Sequence, residues 1–245
     1  MQQTNNKKGR IGLICATEGE IATLISSIDE ATISRKSMLE FYQGTIKEVP
    51  VAATVSGIGK IRSAIATQIL INFFFCKAII NFGTAGGIDE GVRILDTVIS
   101  TECAYWDVSD NTLAYMRPNM NTNYFFADSF LLSLVQKAVV ECKTTNQVFW
   151  GRMVTGDIFA DNILRARIKE SFFPLSVDME TASIAYVCQH YQTPYISVRT
   201  ITDTYEHTGC RAFSRNYYRA SKISCDIVIE MFKAMHGNFP IPEVE

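Results

Sequence analysis

Short, unbroken apolar runs alternate along this chain with stretches whose apolar residues recur at helical spacing. Ile11–Ala16 opens the series. It holds no charged or amide side chain, as expected of a strand buried on both faces. Thr17-x-x-Glu20, just before Ile21, Leu24 and Ile25, is a capping-box pattern and predicts a helix. Met38–Ile46 and Val49–Val55 read as a hairpin turning at Lys47–Glu48, then a helix from about Lys60 to Phe74 and a buried strand Ala78–Asn81. Further strands are expected at Thr97–Cys103, Val148–Thr155, Leu175–Val177 and Tyr195–Ile201. Helices are expected at Phe130–Cys142, Asn162–Glu170, Met179 to about Tyr191 and about Ser214–Met235. The polar region Asp107–Asn123 lacks either pattern and reads as a long functional loop. This alternation predicts an α/β fold: a single domain with a mixed, mostly parallel central sheet flanked by helices. It divides the chain into a disordered polar tail at 1–9, the domain at 10–236 and a C-terminal tail at 237–245.

Composition limits the partners. In 245 residues, 47% hydrophobic and 20% charged side chains suffice for a large core. Lys and Arg number 23 against 25 Asp and Glu, a net −2 without a long run of one sign. That pattern excludes a general nucleic-acid binder and a polybasic membrane anchor. The apolar stretch Ala64–Phe82 is interrupted by Gln68, Asn72 and Lys77, costly in lipid, so it reads as a helix, a break and a strand. The seven cysteines are odd in number without a CxxC pair, and His190, His207 and His236 lie far apart. Neither a disulfide framework nor a metal site is expected, and no cofactor is implied. No secretory signal pattern opens the sequence, so a cytoplasmic protein is expected.

The strand ends are where chemistry gathers. Ile11–Ala16 runs into Thr17-Glu18-Gly19-Glu20, Val51–Val55 into Ser56-Gly57-Ile58-Gly59-Lys60, and Ala78–Asn81 into Gly83-Thr84-Ala85-Gly86-Gly87. Val148–Thr155 runs into Gly156-Asp157, and Tyr195–Ile201 into Thr202-Asp203. Glycines, hydroxyls and carboxylates thus collect at one sheet edge, where α/β folds bind ligands. Carboxylates are in surplus there, and no Ser-His or Cys-His pair is evident. Each element also has a plain structural use. Glu20 serves Thr17 as a capping partner, Gly57-x-Gly59 makes a tight turn, the Gly83–Gly87 glycines permit close packing, and Asp203 caps a turn. Met179 and Phe213, at helix starts, suit a core as well as a ligand contact.

Taken in order, the segments Ile11-Gly-Leu-Ile-Cys-Ala-Thr-Glu-Gly-Glu20, Ser56-Gly-Ile-Gly-Lys60, Asn81-Phe-Gly-Thr-Ala-Gly-Gly87, Thr155-Gly-Asp-Ile-Phe159, Val177-Asp-Met-Glu180 and Arg199-Thr-Ile-Thr-Asp203 resemble the 5′-methylthioadenosine/S-adenosylhomocysteine nucleosidases of the purine nucleoside phosphorylase/uridine phosphorylase superfamily. The resemblance runs from about Arg10 to Met235. It implies hydrolysis of the N-glycosidic bond of a 5′-substituted adenosine, giving adenine and a 5-thioribose derivative. It implies that Asp203 protonates the purine at N7 and that Glu20 activates the attacking water. It places Glu180 on the ribose hydroxyls, with Asp178 beside it, Met179 against the sugar and Thr84 near the ribose. Phe159 would stack on adenine, the Ala160 backbone would read its edge, and Ile58 and Phe213 would wall the 5′ pocket. A homodimer is implied as well, with loop 108–118, through Leu113 and Tyr115, completing the neighbouring site.

The chemistry fits those roles. Cleaving a ribosyl C–N bond builds oxocarbenium character on the sugar and negative charge on the purine, so an acid and a carboxylate-held water answer both demands. Departures from the family pattern are Asp178 for glutamate, Thr84 for serine, Gly19 for an acidic residue, Thr17 for methionine and Trp106 for histidine. Three rival readings stand beside this one: a phosphate-dependent nucleoside phosphorylase, a nucleoside-binding member without turnover, and the same chemistry on 5′-deoxyadenosine or a futalosine-type nucleoside. No arginine adjoins Asn81-Phe82-Gly83 in sequence, and Glu20 would repel phosphate at the water position.

Overall fold

The computed structural model describes residues 9–109, 112, 122–142 and 146–235. The 237–245 tail, the 1–9 tail apart from Gly9, and Leu113 and Tyr115 of the 108–118 loop lie outside the described residues. Strands β1 (Arg10–Cys15), β2 (Asp29–Lys36), β3 (Leu39–Ile46), β4 (Val49–Val55) and β5 (Cys76–Gly87) form the first half, with helices α1 (Glu18–Ile25) and α2 (Lys60–Asn72) between them. Then follow β6 (Thr97–Tyr105), β7 (Phe125–Phe126), α3 (Ser129–Cys142), β8 (Val148–Thr155), α4 (Asn162–Phe172), β9 (Ser176–Asp178), α5 (Thr181–His190), β10 (Tyr195–Asp203) and α6 (Cys210–Ala234).

The sheet is mixed, in the order β2-β3-β4-β1-β5-β10-β6-β8-β9, with β7 on β6. Its centre, β4-β1-β5-β10, is parallel, as is β6-β8-β9. The hairpins β2-β3 and β3-β4 are antiparallel. Strand β9 returns to pair with the end of β5, so β5, β10, β6, β8 and β9 close a ring. On one side β5 serves two neighbours in turn, β1 up to Asn81 and β9 from Gly86. Between them its edge has no strand partner, and a fork opens in the sheet.

The period-2 alternation of the strands sorts side chains to two faces. Leu13, Ile80 and Phe82 join Leu24 of α1, Leu134 and Val135 of α3, and Ile227, Val228 and Phe232 of α6 in one buried cluster. Ile14 and Ile79 join Ala66, Ile69 and Leu70 of α2 and Ala182, Ile184 and Ala185 of α5 in the other. Each such buried Leu, Ile or Phe contributes about 1.5–3 kcal/mol. Helices therefore cover both faces of the sheet.

Five features depart from the expected elements. β2 was not foreseen because its side chains are almost all exposed and carry no apolar alternation. β5 continues through Gly83–Gly87, expected as a loop, because β10 and then β9 supply backbone partners there. Likewise β10 runs on to Asp203, and α6 begins at Cys210, four residues ahead of Ser214. α5 begins at Thr181, leaving Met179 outside the helix and Glu180 as its N-cap. The turn at Lys47–Glu48 is a two-residue hairpin with φ of 49° and 66°, the left-handed pair that matches strand twist.

Candidate active site

A cavity of about 230 Å³ opens where β1, β5 and β10 end, beside the fork. Glu20, Ile58, Thr84, Phe159, Ala160, Asp178, Met179, Glu180, Asp203 and Phe213 all line it. Thus every expected site residue that the structure describes reaches one cavity. Arg165 and Cys210, which sequence reasoning did not mention as site candidates, and Ile158, Arg199 and Thr202, which it quoted within motifs without a site role, line it too.

Glu20 sits in the first turn of α1, 2% exposed. Its Oε2 accepts from the Ala16 and Thr17 backbone N–H groups at 2.9 and 3.0 Å and from Thr17 Oγ1 at 3.0 Å. Its Oε1 accepts from the Thr84 backbone N–H at 2.8 Å and Thr84 Oγ1 at 3.0 Å. The Thr84 N–H is free to do so because β5 has no strand partner at the fork. Five donors on two oxygens suit an acceptor-only, ionised carboxylate. The capping box is present as expected, and its carboxylate also faces the cavity. Gly83 permits the approach: its φ is +142°, and a Cβ there would lie 2.4 Å from Glu20 Oε1. Thr17 Oγ1 also meets the hydroxyl of Tyr217, which packs against Gly19.

Glu180 accepts from the Gly59 N–H at 3.0 Å and from Arg199 Nη2 at 3.2 Å. Burial pushes its carboxyl up, against the pull of Arg199. Asp178 stands behind it. Its oxygens accept from Thr155 Oγ1 at 2.6 Å, from the Glu180 and Thr181 N–H groups at 3.2 and 3.1 Å, and from Thr181 Oγ1. It thereby caps the start of α5 and fixes the Glu180 backbone. Arg199, the largest fully buried side chain, reaches Asp178 Oδ2 from Nε at 3.3 Å, the Thr84 carbonyl at 3.1 Å and Asn81 Oδ1 at 3.2 Å. An arginine distant in sequence therefore does adjoin the Asn81-Phe82-Gly83 segment of β5, with its charge engaged by two carboxylates.

Asp203, 1% exposed, ends β10. Its Oδ1 accepts from Thr202 Oγ1 at 2.7 Å and its Oδ2 from Arg165 Nη2. Burial pushes its carboxyl above the ordinary range, while Arg165 and the Thr202 hydroxyl pull it down. Phe159 and Phe213 meet edge to face, ring centroids 6.4 Å apart, and Phe213 leans on Tyr217 at 5.3 Å. Met179 is half-buried in the cavity lining. Trp106 packs against Gly156 behind the cavity. Among the described residues no group of three or more His, Cys, Asp or Glu is placed to hold a metal ion.

The family model of the phosphorylase superfamily matches residues 10–233. A 5′-methylthioadenosine/S-adenosylhomocysteine nucleosidase of Staphylococcus carnosus is 34% identical over 92% of this chain and 100% of its own length. One from Shewanella piezotolerans is 32% identical over 92% of this chain and 100% of its own length. The solved structure of the Neisseria meningitidis nucleosidase in complex with methylthio-immucillin-A superposes with a TM-score of 0.86 at 27% identity, covering 93% of this chain and 100% of that one. The chain belongs to the phosphorylase superfamily and, within it, to the 5′-methylthioadenosine/S-adenosylhomocysteine nucleosidase family.

Proposed function

We propose that this protein hydrolyses the N-glycosidic bond of 5′-methylthioadenosine or S-adenosylhomocysteine, releasing adenine and a 5-thioribose derivative. One observation carries the reading: two buried carboxyls line one cavity with different partners. Glu20 is held by five donors, whereas Asp203 accepts from Thr202 and Arg165 and burial pushes its carboxyl up. Water held by Glu20 attacks C1′ and yields its proton to that carboxylate. The C1′–N9 electron pair passes to the purine, which takes the Asp203 proton at N7. Glu180 accepts from the ribose hydroxyls, and Met179 and Thr84 border the sugar. Asp178 acts through Glu180 by fixing its backbone. Phe159 stacks on the base, the Ala160 backbone reads its edge, and Ile58 and Phe213 bound the 5′ substituent.

Hydrolysis is favoured over phosphorolysis because the two cavity arginines are bonded to carboxylates, Arg165 to Asp203 and Arg199 to Asp178 and Glu180. Mass spectrometry of the sugar product decides between them. Free 5-methylthioribose formed with phosphate present supports hydrolysis, and a sugar 1-phosphate refutes it.

The same reading includes a homodimer in which loop 108–118 reaches the neighbouring site. Ile61 and Ile65, one turn apart on α2, and Ile58 just ahead of the helix support it, all three exposed. Sedimentation of wild type and Ile61→Asp tests it, with a dimer and a monomer expected. No helix among the described residues is long and apolar enough to cross a membrane. Among the described residues no cysteine is in a disulfide, which suits the reducing cytoplasm we assign to the protein.

A further inference from the structure

Asp203 must carry a proton to act as an acid, yet a buried arginine grips it. Arg165, on the inner side of α4, is 3% exposed. Its Nε donates to the Ala160 carbonyl at 3.0 Å, its Nη1 to the Gly87 carbonyl at 2.5 Å and its Nη2 to Asp203 Oδ2. A Cβ on Gly86 would stand 2.7 Å from Nη2, so only a bare backbone lets the guanidinium lie over β5. Three elements thus converge on one buried cation that also lines the substrate cavity. We propose that Arg165 is a positioning residue that strengthens Asp203 as an acid, by stabilising the carboxylate left when its proton passes to the leaving purine. This inference rests on the nucleosidase reading of the site.

In that step the C1′–N9 bond breaks, its electron pair passes to the purine and the Asp203 proton moves to N7. The remaining carboxylate is buried, where an uncompensated charge is costly, and Arg165 is already in place and stays cationic throughout. The same charge opposes the upward push of burial on Asp203, so the protonated fraction falls at a lower pH than it would without Arg165. The groups around the pair are few. α4 contributes Arg165, with Asp161 acting on it from the helix start. β10 contributes Thr202, and the β5 end contributes only Gly86 and Gly87. α6 contributes Cys210 to the lining and Asn216, bonded to the Thr202 carbonyl. Glu20, Glu180, Asp178 and Arg199 share the cavity. Among the described residues, Arg165 is the only cation paired with Asp203.

The test compares wild type, Arg165→Met and Arg165→Lys by the pH dependence of kcat/KM for 5′-methylthioadenosine. In Arg165→Met the alkaline limb should move up by about one pH unit or more. Its acid-side plateau should fall about threefold or more, as Brønsted behaviour requires of a weaker acid. Arg165→Lys should keep the limb near the wild-type position. A uniform loss at every pH with an unmoved limb would make Arg165 merely structural and overturn the proposal. Arg165→Gln, which retains a donor for the Ala160 carbonyl, replaces the Met variant if that one does not fold. Carbon-13 NMR titration of the Asp203 carboxyl in substrate-free protein, assigned by its loss in Asp203→Asn, reads the coupling without turnover. An equal midpoint in wild type and variant overturns the inference while leaving the nucleosidase reading intact. Wild type that releases no adenine refutes that reading instead.

Discussion

Substituting Glu20 by glutamine separates the structural from the chemical use of that carboxylate. Three of the five donors on Glu20 are backbone N–H groups that cannot turn away, those of Ala16, Thr17 and Thr84. A glutamine has one acceptor oxygen and one NH₂ group. With its oxygen toward Ala16 and Thr17, the NH₂ faces the Thr84 N–H and leaves one buried donor without a partner. Turned the other way, it leaves two. The first arrangement is the cheaper, and one orphaned buried donor costs about 1–3 kcal/mol. Thr17 and Thr84 hydroxyls adapt by rotation and add little. Urea unfolding should therefore show Glu20→Gln less stable by about that amount, with an unchanged m-value. Adenine release should fall further, by roughly 10²–10⁴, because the amide cannot take the water's proton. A variant as stable as wild type would refute the bonding described at the fork. A rate within tenfold of wild type would refute the water-activating role.

Other substitutions read neighbouring parts of the site. Asp203→Asn should reduce kcat by about 10²–10⁴ with substrate affinity within about tenfold; equal loss of binding and turnover would contradict the acid role. Above the Asp203 midpoint, where the wild-type carboxylate compensates Arg165, it should also destabilise the fold, by up to about 3–5 kcal/mol, measured by urea unfolding. Gly83→Ala should cost about 1–3 kcal/mol of backbone strain and abolish activity, since its Cβ would displace the Glu20 carboxylate; near-normal turnover would contradict that. Turnover should decline as pH rises through the elevated Asp203 midpoint, because the acid is then deprotonated. Stability should fall over the same rise, since folded Asp203 and Glu180 hold protons that the unfolded chain has released; chemical unfolding across that pH range measures it.

Much of this was legible in the residues. The continuous apolar run Ile11–Ala16 and the hairpin at Lys47–Glu48 have local causes and form as expected. Glu20, Thr84 and Asp203 also follow from strand-end position and Glu180 from the family resemblance, and the structure gathers all four in one cavity. Ring closure was not legible, because it depends on two residues of β9 meeting Gly86 and Gly87, with no side-chain pattern to announce it. Arg165 gave one faint signal, a charged residue beside Leu164 and Ile168 on the inward side of a helix, which reads as a solvated residue until β5 and β10 are placed over it. Asp178 has the opposite history. The resemblance places it among the substrate-binding residues beside Glu180; it lines the cavity, and its oxygens are bonded to Thr155, Thr181 and the Glu180 backbone, a capping role visible only once α5 is built.

The most direct measurement is adenine release from 5′-methylthioadenosine by the wild-type protein in phosphate-free buffer, repeated with phosphate added. A two-carboxylate hydrolase releases adenine at the same rate in both. Release that waits for phosphate, or tight adenine binding with no release in either buffer, would contradict it.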